Sequence, residues 1–176
     1  MLRELVKEWN RQHKVKLKST YKDVLKNYDF VEEYQDKLDW CLISCKEKLN
    51  EEFIKKFKVK VHWRHISKHQ VLREYFIKEF KNYVYWPFIS QYQKLSEEFI
   101  REFQDKVSWS DISKYQKLSE EFIREFQGKV NWEHISRYQD ISLKFAKEFN
   151  EKISWDLYNE NKRERAIKNL KELVNW

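Results

Sequence analysis

Apolar positions along this chain recur with a fixed period. Six tryptophans are spaced 23 residues apart, and an isoleucine followed by a serine comes three residues after each of the first five. The tryptophans are Trp40, Trp63, Trp86, Trp109, Trp132 and Trp155. The rest of the unit repeats as well, because the stretch YQKLSEEFIREFQ at Tyr92–Gln104 recurs letter for letter at Tyr115–Gln127. Such self-similarity identifies a tandem-repeat protein.

Each repeat contains two segments with helical spacing. The pattern W-x-x-I-S-x-x-Q places its apolar letters on one face of a helix, and F-I-x-E-F-x-x-K-V does the same for a second helix. Ser96 and Ser119 precede the second segment and are suited to cap it. We expect a first helix of about 8 residues and a longer second helix of about 11 residues in each repeat.

These segments predict an all-α fold, a solenoid of tandem short helical hairpins with variant terminal caps. One repeat buries too few apolar side chains to offset the entropy of ordering it, so neighbouring repeats must stack. We expect N-terminal capping helices and a degenerate repeat at 1–39, five 23-residue repeats at 40–155, and a shortened C-terminal capping repeat at 156–176. In this last repeat the F, I, F, V and W positions are taken by Ala166, Ile167, Leu170, Val174 and Trp176.

Three columns of the repeat each have two interpretations. The tryptophans share a helical face with isoleucine, which favours the core, but a ladder of exposed indoles can also stack nucleobases. The glutamines either satisfy backbone groups near the turn or grip an extended peptide; they are Gln70, Gln93, Gln116 and Gln139. The tyrosines lie beside the buried stripe, where they either contact a partner protein or cover the neighbouring repeat; they are Tyr92, Tyr115 and Tyr138.

Positive charge is concentrated in the N-terminal half. The chain has a net charge of +7, and residues 1–26 contain eight basic residues against three acidic ones. The range 53–73 contains no acid and seven basic residues, which are Lys55, Lys56, Lys58, Lys60, Arg64, Lys68 and Arg73. This basic cluster is a candidate surface for an acidic protein or for phosphates. Another basic column has glutamates four residues earlier in its first four repeats, which predicts ion pairs along the helix surface; it consists of Lys55, Lys78, Arg101, Arg124 and Lys147.

Two further pairs have metal-ligand chemistry. Cys41 and Cys45 lie at i and i+4 on one predicted helix, and His65 and His69 do so on the next. The two pairs would form a zinc site only if both converged. Since they occupy different positions in the repeat frame, no metal site is expected, and the alternative is a pair of incidental cysteines beside a histidine-rich patch.

Several functional classes are disfavoured. Glycine and proline occur once each, which argues against linkers and phosphate-binding loops. The N-terminus is charged throughout, no apolar run approaches membrane-spanning length, and two cysteines are too few for a disulfide scaffold. No acid pair or nucleophile–base set interrupts the repeat. We therefore expect a cytoplasmic protein that is not an enzyme and needs no cofactor; the oligomeric state is left open.

The string I-S-x-Y-Q-K-L-S-E-E-F-I-R-E-F, as at Ile112–Phe126, resembles repeat arrays in uncharacterised proteins of large DNA viruses and bacteriophages. The resemblance covers residues 40–155 and implies a viral protein acting in the host cytoplasm. The leading expectation is a helical-repeat module that binds a protein partner, with an inhibitor of a host defence nuclease such as a CRISPR effector as its most specific form. The alternative is sequence-indifferent RNA or DNA binding through the basic N-terminal half.

Overall fold

A computed structural model of the protein describes residues 1–174, and all of its regular structure is helical. This part of the chain contains fourteen α-helices, a 3-10 helix at Gln35–Lys37, and no strand. The α-helices are α1 (Leu2–His13), α2 (Tyr21–Val24), α3 (Tyr28–Tyr34), α4 (Trp40–Lys46), α5 (Glu51–Lys56), α6 (Trp63–His69), α7 (Glu74–Glu79), α8 (Trp86–Tyr92), α9 (Glu97–Glu102), α10 (Trp109–Tyr115), α11 (Glu120–Glu125), α12 (Trp132–Tyr138), α13 (Leu143–Glu148) and α14 (Trp155–Val174).

The chain divides into two compact units, Met1–Tyr85 and Trp86–Trp176. In the first unit α4 packs against α6. In the second unit α8 packs against α10, α10 against α12, and α12 against α14. Within each unit, therefore, a helix that begins with tryptophan packs against the equivalent helix one repeat away. This stacking of hairpins confirms the predicted all-α solenoid. The division between units falls inside the block of five repeats that the sequence predicted.

The second helix of each repeat is shorter than predicted. In the repeat that begins at Trp109, α10 has 7 residues and α11 has 6 rather than about 11. The chain leaves the helical region at Phe126 (φ −106°, ψ 29°), and the N–H of Val130 then closes a separate turn onto the Phe126 carbonyl at 3.0 Å. This turn keeps Val130 in the core, so the apolar spacing continues where the helix does not. The predicted cap at Ser119 is confirmed, because its Oγ accepts the Phe122 N–H at 3.1 Å.

Isoleucine and phenylalanine, rather than tryptophan, form the centre of each repeat. Ile112 and Phe122 are fully buried, whereas Trp109 is half-buried. The Trp109 ring packs on Phe122 and Phe126 of its own repeat, with centroid separations of 6.2 and 4.9 Å. Trp63, Trp86 and Trp132 are half-buried and pack in the same way. The predicted core position is confirmed for Trp40, which is buried, whereas these four indoles lie only partly in the core. The spacing from Trp to Ile defines a shared face but not depth, and these rings cover the edge of their own hairpin.

Within the two units, buried glutamine side chains join a repeat to the preceding one. The Gln116 oxygen accepts the Leu95 N–H at 3.1 Å, and its amide nitrogen donates to the carbonyls of Ser90 and Gln93 at 2.8 Å each. The equivalent three bonds are made by Gln70 and Gln139. The backbone interpretation of this column is confirmed at these positions. Their amide groups already hydrogen-bond to the backbone of the preceding repeat, so these groups are not free to grip an extended peptide.

Serine holds the first helix of a repeat to the residue that caps the next tryptophan helix, and glutamate forms a further link between repeats. Ser113 Oγ donates to the Trp109 carbonyl at 2.7 Å and accepts the N–H of Asn131 at 2.9 Å. Glu97 accepts the N–H of Ser119, the N-cap of the next repeat's second helix, at 2.6 Å. The same carboxylate link joins Glu51 to the Arg73 N–H and Glu120 to the Ser142 N–H. At the junctions closed by Gln70, Gln116 and Gln139, an amide clamp and a carboxylate clamp thus join neighbouring repeats, and a serine hydroxyl holds the segment that leads into the next repeat.

The two ends differ from the internal repeats. At the N-terminus α1 packs on α3 through Trp9, whose ring lies 5.6 Å from Phe30 and 6.3 Å from Tyr34. At the other end α14 is one continuous helix of 20 residues, so the C-terminal positions do not fold into a hairpin. Ile167 and Leu170, predicted to take core positions, are 53% and 61% exposed. The predicted final position, Trp176, lies outside the described residues. Among the helices of residues 1–174, none is both long and apolar enough to cross a membrane.

Candidate binding surfaces

The tyrosine column lies on the surface of the second unit. Tyr92, Tyr115 and Tyr138 are the last residues of α8, α10 and α12, and they are 45%, 44% and 41% exposed. Each precedes a buried glutamine by one residue, and one step along a helix rotates a side chain by about 100°. The inward glutamine therefore directs the tyrosine outward beside it. The predicted partial exposure is confirmed, and the role in binding stays a prediction.

Lys114 connects two of these tyrosines. Its ammonium lies 5.0 Å from the ring centroid of Tyr115 and 5.2 Å from that of Tyr138, one repeat further on. Cations are attracted to aromatic faces at this range. Hydrogen bonding to Tyr115 raises the pKa of Lys114 above its ordinary value, so this side chain is charged at neutral pH.

A groove of about 410 Å³ opens beside this cation. We call it the tyrosine groove, and its lining consists of Lys114, Tyr115, Gln116, Lys117, Leu118, Tyr138, Gln139, Asp140 and Arg165. Hydrogen bonding from Lys162 lowers the pKa of Asp140, which keeps its carboxylate ionised, and Arg165 lies 3.5 Å from that carboxylate. Lys117 is exposed at the groove edge. The groove is therefore aromatic with an excess of positive charge. Its lysines were missed in the sequence, although both flank the Tyr-Gln pair in the string KYQKL.

The basic cluster at 53–73 is not the free cationic surface that its composition indicated. Lys55 pairs with Glu79 at 2.5 Å, Lys56 with Glu32 at 2.7 Å, and Lys60 with Asp36 at 2.5 Å. Arg73 contacts Glu51 at 2.6 Å. Arg64 lies 4.5 Å from the Tyr85 ring, and Lys68 is half-buried; Lys58 is exposed. The acids come from neighbouring repeats, so a local stretch without acids did not reveal them.

Arginines of the second basic column form the predicted pairs within their helix and also pair across repeats. Arg124 does contact Glu120, four residues earlier, but only at 3.7 Å. Its shorter bond, 2.9 Å, runs to Glu148, one repeat later. Arg101 repeats this arrangement with Glu97 at 3.8 Å and Glu125 at 2.8 Å. These pairs are largely exposed, and each contributes little stability alone. They do neutralise the arginines that would have to contact phosphates if this column bound a nucleic acid.

The cysteine and histidine pairs meet only in part. Cys41 Sγ lies 3.4 Å from His65 Nε2, whereas Cys45 Sγ contacts the Leu42 carbonyl at 3.6 Å. His69 lies near His65, with ring centroids 5.9 Å apart, and burial lowers its pKa. Among the described residues, no group of three or more histidine, cysteine, aspartate or glutamate side chains is placed to hold a metal ion.

The fold and these surfaces define the class of the protein as an all-α tandem-repeat protein with an exposed aromatic column. In comparisons with known proteins, no protein-family model, no curated protein and no solved structure matches the chain.

Proposed function

We propose that this protein is a non-catalytic scaffold that binds a partner protein through the tyrosine groove. The observation that carries the proposal is the Lys114 ammonium held between two exposed tyrosine rings of successive repeats. Aromatic residues on a rigid support lose little entropy on binding and are enriched at the centre of protein interfaces. The clamps behind Tyr115 and Tyr138 provide that support, because the glutamines that follow both residues are hydrogen-bonded in full.

The charge of the groove indicates the chemistry of the partner. Lys114 and Lys117 carry positive charge beside the tyrosines, and Asp140 is already paired with Lys162 and Arg165. A partner segment with carboxylates would therefore gain cation contacts, while an apolar or aromatic side chain packs on the rings. We assign the groove to an acidic protein segment.

The test is affinity capture from the native cellular context with quantitative mass spectrometry. The variant Tyr115→Ala/Tyr138→Ala should lose the captured partner while its thermal unfolding midpoint stays within a few degrees of the parent. Tyr75→Ala is the matched control, because Tyr75 is also exposed but lies in the other unit. Retention of the same partner by the double variant would contradict the proposal.

A finer form of the proposal makes the partner a host defence nuclease such as a CRISPR effector, which the protein would inhibit. It is supported by the resemblance to viral and phage repeat arrays alone. Addition of the purified protein to a cleavage reaction of such a nuclease tests it directly: a stoichiometric loss of cleavage supports inhibition, and unchanged cleavage contradicts it.

Nucleic-acid binding is the second candidate, and the structure changes which residues would carry it. Lys14, Lys16 and Lys18 are exposed and form no ion pair within the described part of the chain. They follow α1 within residues 1–26, which contain eight basic residues against three acidic ones. This N-terminal segment replaces the 53–73 cluster as the candidate phosphate contact.

A further inference from the structure

One junction in the first unit lacks two of the clamps that close the regular junctions. The glutamine column reads Glu47, Gln70, Gln93, Gln116 and Gln139, so a carboxylate stands first where the others have an amide. The Glu47 side chain forms no hydrogen bond within the described residues, in contrast to the three bonds of Gln70. A carboxylate has no N–H to donate to the carbonyls that the amide satisfies.

The carboxylate clamp is missing at the same junction. Tyr28 occupies the position that Glu51, Glu97 and Glu120 take in later repeats. Asn50 occupies the N-cap position, and its Oδ1 accepts the Phe53 N–H at 2.7 Å within its own helix. No hydrogen bond joins Tyr28 to Asn50 among the described residues, whereas Glu51 and Arg73 are joined at 2.7 Å. Lys56 and Lys60 pair with Glu32 and Asp36 nearby, so the junction is held together while this side of it stays open.

The opening is a cavity of about 800 Å³ between the degenerate repeat and the first regular repeat. At the clamped junction that follows, the corresponding cavity around Gln70 has about 270 Å³, and the tyrosine groove has about 410 Å³. The larger volume therefore coincides with the loss of both clamps. It lies within the range of about 300–1,000 Å³ that holds small organic ligands.

The lining divides into an apolar wall and a cationic rim. Leu25, Leu49 and Phe53 are buried core residues, and Tyr28 is half-buried with its ring 5.7 Å from that of Phe53. The rim consists of Lys22, Lys26 and Lys48 with Glu47 and Asn50. The three lysines are exposed, and within the described part of the chain none of them takes part in an ion pair. Three ammonium groups against one carboxylate leave a net positive rim above an apolar wall.

From this arrangement we propose that the open junction is a binding site for a small amphipathic organic anion. The ligand has an aromatic or acyl body that occupies the apolar wall and one carboxylate or sulfonate that contacts the lysines. The apolar body supplies binding energy in proportion to the area it buries, and the rim selects for negative charge. The site is separate from the tyrosine groove and does not depend on the function proposed for it.

The experiment titrates the full chain with 8-anilinonaphthalene-1-sulfonate, followed by fluorescence and calorimetry. We expect saturable binding at one site per chain, with micromolar affinity, while near-ultraviolet circular dichroism shows intact packing. N-phenyl-1-naphthylamine, which has the same aromatic body without the sulfonate, should bind several-fold more weakly. The variant Lys26→Glu/Lys48→Glu should weaken sulfonate binding about tenfold, as expected when two exposed charge contacts are reversed, and should remove the preference for the anion.

Lys58→Glu is the control, because Lys58 is exposed in the same unit but does not line the cavity. Its affinity for the sulfonate should equal that of the parent. The proposal is overturned if the sulfonate does not saturate a single site, if the neutral amine binds equally well, or if Lys58→Glu weakens binding as much as the rim variant does.

Discussion

The side-chain oxygen of Gln116 accepts the backbone N–H of Leu95 at 3.1 Å, although 21 residues separate the two in sequence. Leu95 follows the turn after α8, and Gln116 follows α10, so the bond crosses from one repeat to the preceding one. Both groups are buried, and water cannot replace either partner. Removing the amide therefore leaves one N–H and two carbonyls without partners.

We expect Gln116→Met, which keeps the volume and removes the polar atoms, to lower the free energy of unfolding by about 2–4 kcal/mol. Urea unfolding at neutral pH measures the change. Gln127→Met is the control, because Gln127 is exposed and, among the described residues, its side chain accepts a hydrogen bond from Lys152 alone, at 3.0 Å. Equal losses in the two variants would show that the amide clamp contributes nothing beyond side-chain polarity.

The half-buried tryptophans should stabilise the fold by two separable effects. Trp109→Ala removes the packing on Phe122 and Phe126 and should cost about 3 kcal/mol, less than full burial would give. Trp109→Phe keeps an aromatic ring but loses the indole N–H bond to the Gln104 carbonyl at 2.9 Å, and should cost about 1 kcal/mol. Thermal unfolding of both variants checks this order. A phenylalanine variant as unstable as the alanine variant would contradict the assignment of most stability to packing.

Acid should weaken the junction at Glu51. Burial raises the pKa of Glu51, but hydrogen bonds from the Arg73 side chain, the Tyr75 hydroxyl and the Arg73 N–H outweigh it, and the net pKa is lowered. A carboxyl whose pKa is lower in the folded state stabilises the fold fully above its unfolded pKa. That contribution disappears as the pH falls through the folded pKa.

Unfolding midpoints between pH 6 and pH 3 should therefore fall less steeply for Glu51→Gln than for the parent. At neutral pH the variant should be less stable, because its amide cannot form the ion pair with Arg73. Glu52→Gln, at an exposed neighbouring position, should keep the parent's pH profile. Parallel profiles for Glu51→Gln and the parent would show that this carboxylate is not linked to stability.

Salt dependence distinguishes the two proposed classes of partner. If the segment after α1 contacts phosphates, binding to a random single-stranded oligonucleotide should weaken steeply with salt, and Lys14→Gln/Lys16→Gln/Lys18→Gln should flatten the slope by about 0.7 per lost contact. A fluorescence-anisotropy titration at several salt concentrations measures both. Absence of binding at low salt would contradict the proposal of nucleic-acid binding. Protein binding through the tyrosine groove would then be the remaining proposal.

The sequence predicted what depends on local chemistry. The positions of Ile112 and Phe122 in the core follow from helical spacing, and the cap at Ser119 follows from its place before two glutamates. The extent to which a side chain is buried was harder to predict. Trp109 shares a helical face with Ile112, but it is the first residue of its helix and lies at the edge of the hairpin. The predicted length of the second helix was wrong for a related reason. Val130 keeps the helical spacing, but a separate turn outside α11 places it in the core.

Pairing between repeats was beyond the sequence for a different reason. Arg124 has acids at several distances along the chain, and the intrahelical rule favoured Glu120, four residues away. The stacking of repeats instead places Glu148 at 2.9 Å, and no local pattern encodes that separation. The basic cluster looked free for the same reason, because the partners of Lys56 and Lys60 lie 24 residues earlier. The tyrosine groove likewise required the stacking of α10 on α12.

Because the side chains of Gln116 and Gln139 bond to the repeat that precedes their own, the array can be extended by whole repeats. Gln116 and Gln139 each complete the backbone hydrogen bonding of the repeat before their own, and the stretches Tyr92–Gln104 and Tyr115–Gln127 are identical in sequence. An extra copy of residues 109–131 inserted in frame would meet only edges that already exist in the molecule. Duplication or loss of such a segment in the gene can thus lengthen or shorten the array in whole repeats.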